Sequence, residues 1–238
     1  SNIAINGGTV TANGGDSGAG IGGGYSGSSY NITINDGVVT AEGGTNAVGI
    51  GSGDKGAVSS NITVSAILTL EAGGTEIANN GGDLAESLEG KRYVTIGNKP
   101  TVSVSYIDEK DVSHNINAYV VTSSGTPVIL GAAGKETWYV VTDADVELSQ
   151  GAICKGNVNL ILADDAKLTA TGIDADVMHE IIGTAGIQVS GINSLTIYGQ
   201  SNQSGKIIAN GGSMAAGIGG GDQGDGSNTT INGGIVKA

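Results

Sequence analysis

The feature that most constrains this chain is an internal repeat. The stretch that begins at Asn2, Asn-Ile-Ala-Ile-Asn-Gly-Gly-Thr-Val-Thr-Ala, returns from Asn31 and, in degraded form, from Asn61, so that the copies start 29 and 30 residues apart. A further copy begins at Asn228. A second motif, Ala-Gly-Ile-Gly-Gly-Gly at residues 19–24, recurs with two changes at residues 48–53 and unchanged at residues 216–221. Such a period is typical of stacked structural units, each of which contacts its neighbours.

Each repeat contains three short extended pieces separated by corners of Gly, Asn, Asp and Ser. In the second copy they are Ile32–Ile34, Val38–Ala41 and Val48–Ile50, and alternation in the first copy turns Ile3 and Ile5 inward. Three strands per turn with this period are typical of a parallel β-helix, whose coils pair with the coils above and below. We therefore predict an all-β chain: a right-handed parallel β-helix, a pectate-lyase-like solenoid, interrupted by a small β insertion.

The composition agrees with many tight corners around thin apolar layers. The chain has 44 glycines, two prolines and no phenylalanine, so its core must be built from Ile, Val, Leu and Ala. Glycine without a triplet pattern and with so little proline excludes collagen and favours turns that need positive φ. Cys154 is the only cysteine, which excludes an intrachain disulfide, and its apolar neighbours predict a buried core position.

The pattern divides the chain into three parts. Residues 1–80 read as nearly three coils, and residues 136–238 as a second run of coils. Between them, in residues 81–135, the repeat stops, and Val102–Tyr106 and Ala118–Thr122 alternate like a pair of strands. We predict a junction or insertion there.

Stacked coils would place equivalent asparagines above one another at a corner, where their amides can hydrogen-bond along the stack. The predicted ladder consists of the residues that head the repeat, Asn2, Asn31, Asn61 and Asn228. A second ladder is predicted at Asn6, Asn35 and Ser65.

Catalytic groups are not recognisable in the coils. A glycoside hydrolase needs two carboxylates across one cleft, and the only adjacent acidic pair in the coils, Asp164 and Asp165, falls at a corner that favours such residues. A lyase needs a base beside a uronate, but Arg92, the only arginine, lies outside the repeats. His114 and His179 stand in no nucleophile or metal-ligand pattern. The sequence predicts that the chain is not an enzyme.

Two sets of residues are candidates for ligand binding. Tyr25 and Tyr30, at the corner between the first two coils, could stack on sugars. Acidic residues in Gly-rich loops could offer oxygen atoms to calcium; these are Asp16, Asp54, Asp222 and Asp225. They match neither an EF-hand nor the nonapeptide calcium roll. We predict no cofactor, with calcium as the alternative.

The net charge of −13 and the single arginine argue against nucleic acid and anionic membranes as partners. The sequence also contains no hydrophobic span, which predicts no membrane insertion.

The later segments also resemble a known family. Trp138–Val141, Asn159–Ala163, Leu195–Gln200 and Ala216–Gly221 are similar to the Gly-rich β-helix repeats of large surface and secreted proteins from gut-type Gram-positive bacteria, often labelled carbohydrate-binding. The resemblance implies an extracellular or cell-surface location and a non-catalytic structural or adhesive module. Carbohydrate binding, with or without calcium, is the alternative, followed by a polysaccharide lyase or hydrolase.

The chain begins and ends inside repeats, so we interpret it as part of a longer protein. Its end coils predict head-to-tail self-association, or packing against neighbouring repeats of the parent protein, with polysaccharide as the alternative partner.

Overall fold

The computed structural model describes residues 2–65, 67–77, 79, 82–176, 178 and 181–238. The described chain is nearly all β-structure, in agreement with the predicted class. It divides into two compact units, Ser1–Lys99 and Pro100–Ala238, which are described separately.

The first unit holds eight strands and one short helix. In chain order these are β1 (Ile3–Asn13), β2 (Ile21–Gly22), β3 (Tyr30–Glu42), β4 (Ile50–Gly51), β5 (Ser60–Val64), β6 (Leu68–Ala72), β7 (Thr75–Ile77), α1 (Ala85–Leu88) and β8 (Tyr93–Asn98).

The repeat sets the pairing of the first strands. β1 pairs in parallel with β3, and β3 in parallel with β5, so Ile5 lies opposite Ile34 and Ile34 opposite Val64. Ile34 and Val64 are fully buried, whereas Ile5 is half-buried because β1 is at the edge of the sheet. Ile5, Ile34 and Val64 therefore stack in one apolar column, as expected from the predicted inward orientation of Ile5, and alternation along each strand is the reason that the column forms.

The Ala-Gly-Ile-Gly motif forms a second, shorter contact between coils. β2 pairs in parallel with β4, placing Ile21 opposite Ile50 and Gly22 opposite Gly51. Both isoleucines are buried. Gly22 and Gly51 adopt φ values of 138° and 141°, and the backbones approach so closely that a Cβ on Gly22 would fall on the carbonyl oxygen of Gly51. The glycines are required by this approach.

Parallel stacking in the first unit stops at Val64, earlier than predicted. β6 pairs antiparallel with β7 and β8, and β8 pairs antiparallel with the second half of β3, Val39 lying opposite Ile96. The prediction of parallel coils to residue 80 is therefore wrong beyond Val64. The reason is that β8 occupies the edge of β3 that a third complete coil would have used.

The second unit contains the remaining strands. These are β9 (Val102–Ile107), β10 (Ser113–Val120), β11 (Val128–Val141), β12 (Val146–Leu148), β13 (Ala152–Leu162), β14 (Lys167–Thr171), β15 (Ile187–Gln188), β16 (Ser194–Gly199), β17 (Lys206–Asn210), β18 (Ile218–Gly219), β19 (Thr229–Ile231) and β20 (Ile235–Lys237).

Parallel ladders also organise this unit. One follows β11, β13, β16 and β19, and another follows β12, β14, β17 and β20. Residues joined by side-chain hydrogen bonds between coils lie at varied separations. The backbone N–H of Glu147 donates to the Ser123 hydroxyl over 24 residues, Ser194 donates to Asn157 over 37, and the backbone N–H of Ser213 donates to Asp174 over 39. This variation is the reason that the repeat is hard to see here in the sequence.

A hairpin covers one outer face of these coils. β9 and β10 pair antiparallel, with Tyr106 opposite His114. Ala118 of the hairpin packs with Val140 and Ile161 of the coils, and all three are completely buried. The segment predicted as an insertion, 81–135, is divided between the two units at Lys99, and parallel pairing resumes at Tyr119, which lies opposite Tyr139, rather than at residue 136.

Candidate functional site

The corner asparagines of the first unit form the predicted amide ladder. The Nδ2 of Asn31 donates to Oδ1 of Asn2 at 3.0 Å, and the Nδ2 of Asn61 donates to Oδ1 of Asn31 at 3.1 Å. Asn31 and Asn61 have φ values of 56° and 53°, in the left-handed region that asparagine tolerates better than most residues. The ladder thus explains both the residue type and its spacing.

The other ladder positions differ from the prediction. Asn35 donates to Asn6 at 2.7 Å, but the buried Ser65 hydroxyl has no hydrogen-bond partner among the described residues, so this ladder ends at Asn35. The side chain of Asn228, in the second unit, donates to the carbonyl oxygens of Gly191 and Asn193 and caps backbone groups instead of joining an amide ladder. The side chain of Ser65 is too short to continue a chain of hydrogen bonds between side-chain amides.

Asp83 caps the backbone of β5, the last parallel strand of the first unit. Its carboxylate accepts the backbone N–H groups of Asn61, Ile62 and Ala85 at 2.9–3.0 Å, where a further coil would supply carbonyl oxygens. Burial alone would raise the pKa of Asp83, but the three backbone donors outweigh it and lower the pKa below 3.8. The folded unit therefore favours the charged carboxylate.

We expect Asp83→Ala to lower the free energy of unfolding by about 1 kcal/mol at neutral pH, because the carboxylate is largely exposed. Since the folded pKa is depressed, this contribution is present above the unfolded pKa, near 3.8, and disappears as the pH falls through the folded value. Urea unfolding at several pH values measures the difference. Asp16→Ala is the control, and a difference that persists at low pH would contradict the assignment.

The acidic pair Asp164 and Asp165 also serves a corner. The Asp164 carboxylate accepts the backbone N–H of Asn202 at 3.1 Å and hydroxyls of the next coil, and Asp165 has a φ of 64°. Asp174 repeats the arrangement, accepting the N–H and hydroxyl of Ser213. These carboxylates thus hold one coil to the next.

The predicted sugar-stacking residues are exposed in the first unit. Tyr25 is 60% exposed and Tyr30 is 51% exposed. The ammonium group of Lys55 lies 3.2 Å from the Tyr25 hydroxyl and 5.4 Å from the centre of its ring. One ring of the pair therefore already faces a cation of the chain.

The four predicted calcium ligands are divided between the two units. Asp16 and Asp54 belong to the first unit and Asp222 and Asp225 to the second. Among the described residues there is no group of three or more His, Cys, Asp or Glu side chains arranged to hold a metal ion. Calcium binding by these loops remains a prediction from the sequence.

Sequence analysis missed a group of aromatic rings in the second unit. Tyr106 and His114 stack across the hairpin with ring centres 5.3 Å apart. Tyr106 also lies 4.7 Å from Trp138 and from Tyr198, which stack on each other at 5.3 Å. We call these four residues the aromatic cluster. The signal in the sequence is that Trp138 and Tyr198 occupy outward-facing strand positions, where large aromatic side chains indicate a covering element.

Carboxylates surround the aromatic cluster. Asp108 contacts His114 at 2.8 Å. Burial, followed by the negative charges of Asp108, Glu109 and Glu136, raises the pKa of Tyr106. The pKa of Tyr198 is likewise raised by burial, by Tyr106 and by Glu109, against a hydrogen bond from Asn232.

Two other residues singled out in the sequence are structural. Cys154 is buried as predicted, and burial raises the pKa of its thiol to about 12, so it is protonated at neutral pH. Arg92 donates to the carbonyl oxygen of Gly43 and to Glu42 at 2.8 and 2.9 Å. His179 lies outside the described residues.

The comparisons with known proteins agree with a repeat architecture. Residues 3–25, 32–54 and 203–222 match the family model described as a β-helix repeat. The match supports a parallel β-helix repeat protein. Its first segment contains β1 and β2, and its second contains most of β3 together with β4. Comparison with curated proteins and with solved structures found no match. Within the described residues, no helix has the length and apolar character needed to cross a membrane.

Proposed function

We propose that this chain is a non-catalytic structural or adhesive module, built of right-handed β-helical coils, that extends by stacking its coils end to end. The observation that carries the proposal is the position of β1 in its sheet. Within the described residues β1 pairs with β3 alone, so the backbone N–H and C=O groups of its other edge are available to pair with a further coil. Such an edge is a template for another strand.

The second unit presents a comparable edge. β19 pairs with β16 and β20 with β17, and both lie at the ends of their described ladders. Ile231 and Ile235 are 53% and 51% exposed there. Stacking of another coil would cover these side chains, and burial of apolar surface contributes about 25 cal/mol per Å².

The two edges are chemically matched. Residues 2–12 and 228–238 carry the same repeat phase, so β19 and β20 have the same pattern as the two halves of β1. Contact between unlike edges is heterologous and propagates instead of closing as a dimer. The other side of the first unit is blocked by β8 and Asp83, which leaves β1 as the edge for growth.

We expect the mass of the protein in solution to rise with concentration, as measured by light scattering. Ile231→Lys should weaken association at least about tenfold, because stacking would bury an unpaired charge. The control is Ile182→Lys, at a 65% exposed corner position. A strict monomer at every concentration, or equal loss in both variants, would contradict the proposal.

The second candidate function is carbohydrate binding, and the exposure of Tyr25 and Tyr30 favours it. A sugar would stack on these rings without requiring association of the module. Retention on insoluble polysaccharide that is lost in Tyr25→Ala but kept in Tyr93→Ala, a 45% exposed ring, would favour this candidate.

The proposal includes the bacterial cell surface or extracellular space as the location, on the basis of the resemblance to Gly-rich surface repeats. It also includes the lack of catalysis, which is supported by the corner roles of Asp164 and Asp174.

A further inference from the structure

The aromatic cluster packs the hairpin against the coils and also forms part of the protein surface. Tyr106, Trp138 and Tyr198 pack at the margin of the buried Ala118–Val140–Ile161 contact, and all three remain partly exposed. Three rings within 4.7–5.3 Å of one another thus form a connected π surface at the border with solvent. The faces of such rings carry negative electrostatic potential.

Carboxylate groups lie near these rings, and their charge has the same negative sign as the potential of the ring faces. Glu109 and Glu136 are exposed, and their negative charges contribute to the raised pKa of Tyr106 and of Tyr198. One oxygen of Glu136 also accepts a hydrogen bond from Nδ2 of Asn159 at 2.9 Å. The Asp108 carboxylate is held in place by the backbone N–H groups of Lys110 and Val112 and by His114. Carboxylates and ring faces therefore attract the same kind of ligand, a cation with apolar groups around its charge.

The first unit places a cation beside an aromatic ring. The ammonium group of Lys55 lies 5.4 Å from the centre of the Tyr25 ring and donates to the Tyr25 hydroxyl at 3.2 Å, so it contacts the hydroxyl edge of the ring. That site has one ring, whereas the aromatic cluster has three rings and His114.

From this geometry we propose that the aromatic cluster, with Glu109 and Glu136, binds an alkylammonium ion. The charge on the ligand is satisfied by the two carboxylates, and its methyl or methylene groups contact Trp138 and Tyr198. A free quaternary amine and a lysine side chain of another protein present the same chemistry. The site lies on the outer face of the coils of the second unit.

Trp138 is the only tryptophan in the chain, so its fluorescence reports on this site directly. We expect tetramethylammonium to change it saturably with a Kd of about a millimolar or weaker, because the contact of an exposed cation with each ring is individually weak. Tert-butanol is the neutral probe of similar size. A second titration with a lysine peptide and its Nε-acetylated form distinguishes a lysine side chain from a free amine as the ligand.

Glu109→Gln should weaken tetramethylammonium binding about three- to tenfold while leaving the rings intact, because only one nearby charge is lost. Glu86→Gln, in α1 of the first unit, should leave the affinity unchanged. Tyr106→Leu should abolish saturable binding, and circular dichroism shows whether this variant keeps the fold. If Tyr106→Leu does not fold, Glu109→Gln alone provides the test. An equal response to tert-butanol, or the same affinity in Glu109→Gln and wild type, would overturn the proposal.

Discussion

Replacing Ile34 by alanine is expected to lower the free energy of unfolding by about 2–5 kcal/mol. Ile34 is completely buried and stands in the middle of the apolar column, between Ile5 and Val64. Alanine removes three carbons from a position that two neighbouring coils enclose, so the loss includes both transfer free energy and a cavity. Urea unfolding followed by circular dichroism measures the change.

The matched control is Val38→Ala on the same strand. Val38 is 43% exposed, so its truncation should cost less than about 1 kcal/mol. Equal destabilisation by the two variants would mean that the interior and exterior of the coil have been assigned wrongly.

Gly22→Ala is the second change with a large expected effect, at least about 3 kcal/mol. Alanine at a φ of 138° is strained, and its Cβ would fall on the carbonyl oxygen of Gly51 in the next coil. The pairing of β2 with β4 must then open, which also exposes Ile21 and Ile50. Urea unfolding measures the loss, and weakened protection of the Gly23 amide in hydrogen exchange would locate it, because that amide donates to the carbonyl of Gly51.

Gly24→Ala serves as the control two residues away. A Cβ at Gly24 would meet no atom within 4 Å, and its φ is not in the left-handed region. This substitution should be nearly neutral. If Gly22→Ala were equally neutral, the close approach of the coils would not be needed for stability.

If the proposed stacking is correct, these two variants should also affect assembly. Loss of the coil interior at Ile34 or of the coil contact at Gly22 deforms the first unit, whose β1 edge is the surface proposed to receive another coil. Ile231→Lys, in contrast, changes the edge of the second unit at a position that is already 53% exposed. Comparing the stability and the mass in solution of Ile231→Lys with those of the other two variants distinguishes loss of association from loss of folding.

The sequence by itself determined the strand character and register of the first coils. The copies at Asn2, Asn31 and Asn61 predicted which residues would lie opposite one another, because stacking places equivalent positions of a repeat in contact. It also predicted the first amide ladder and the burial of Cys154. These features depend on residues that are periodic along the chain or flanked by apolar runs.

Only the tertiary structure decided where the stack ends. The segment from Leu68 has the alternation of a strand, but alternation does not reveal the direction of the partner, and β8 pairs with β6 antiparallel. Asp83 caps the last parallel strand, but it lies in a segment without the repeat. Its partners Asn61 and Ile62 are 22 and 21 residues earlier in the chain, so the repeat period does not predict the contact.

The aromatic cluster also required the tertiary structure. His114 and Tyr106 become neighbours through the hairpin, but Trp138 and Tyr198 join them only because the hairpin folds over the outer face of the coils. Local patterning identifies which strand positions face outward. What covers an outward position depends on contacts between residues far apart in the chain, and one strand's sequence does not contain that information.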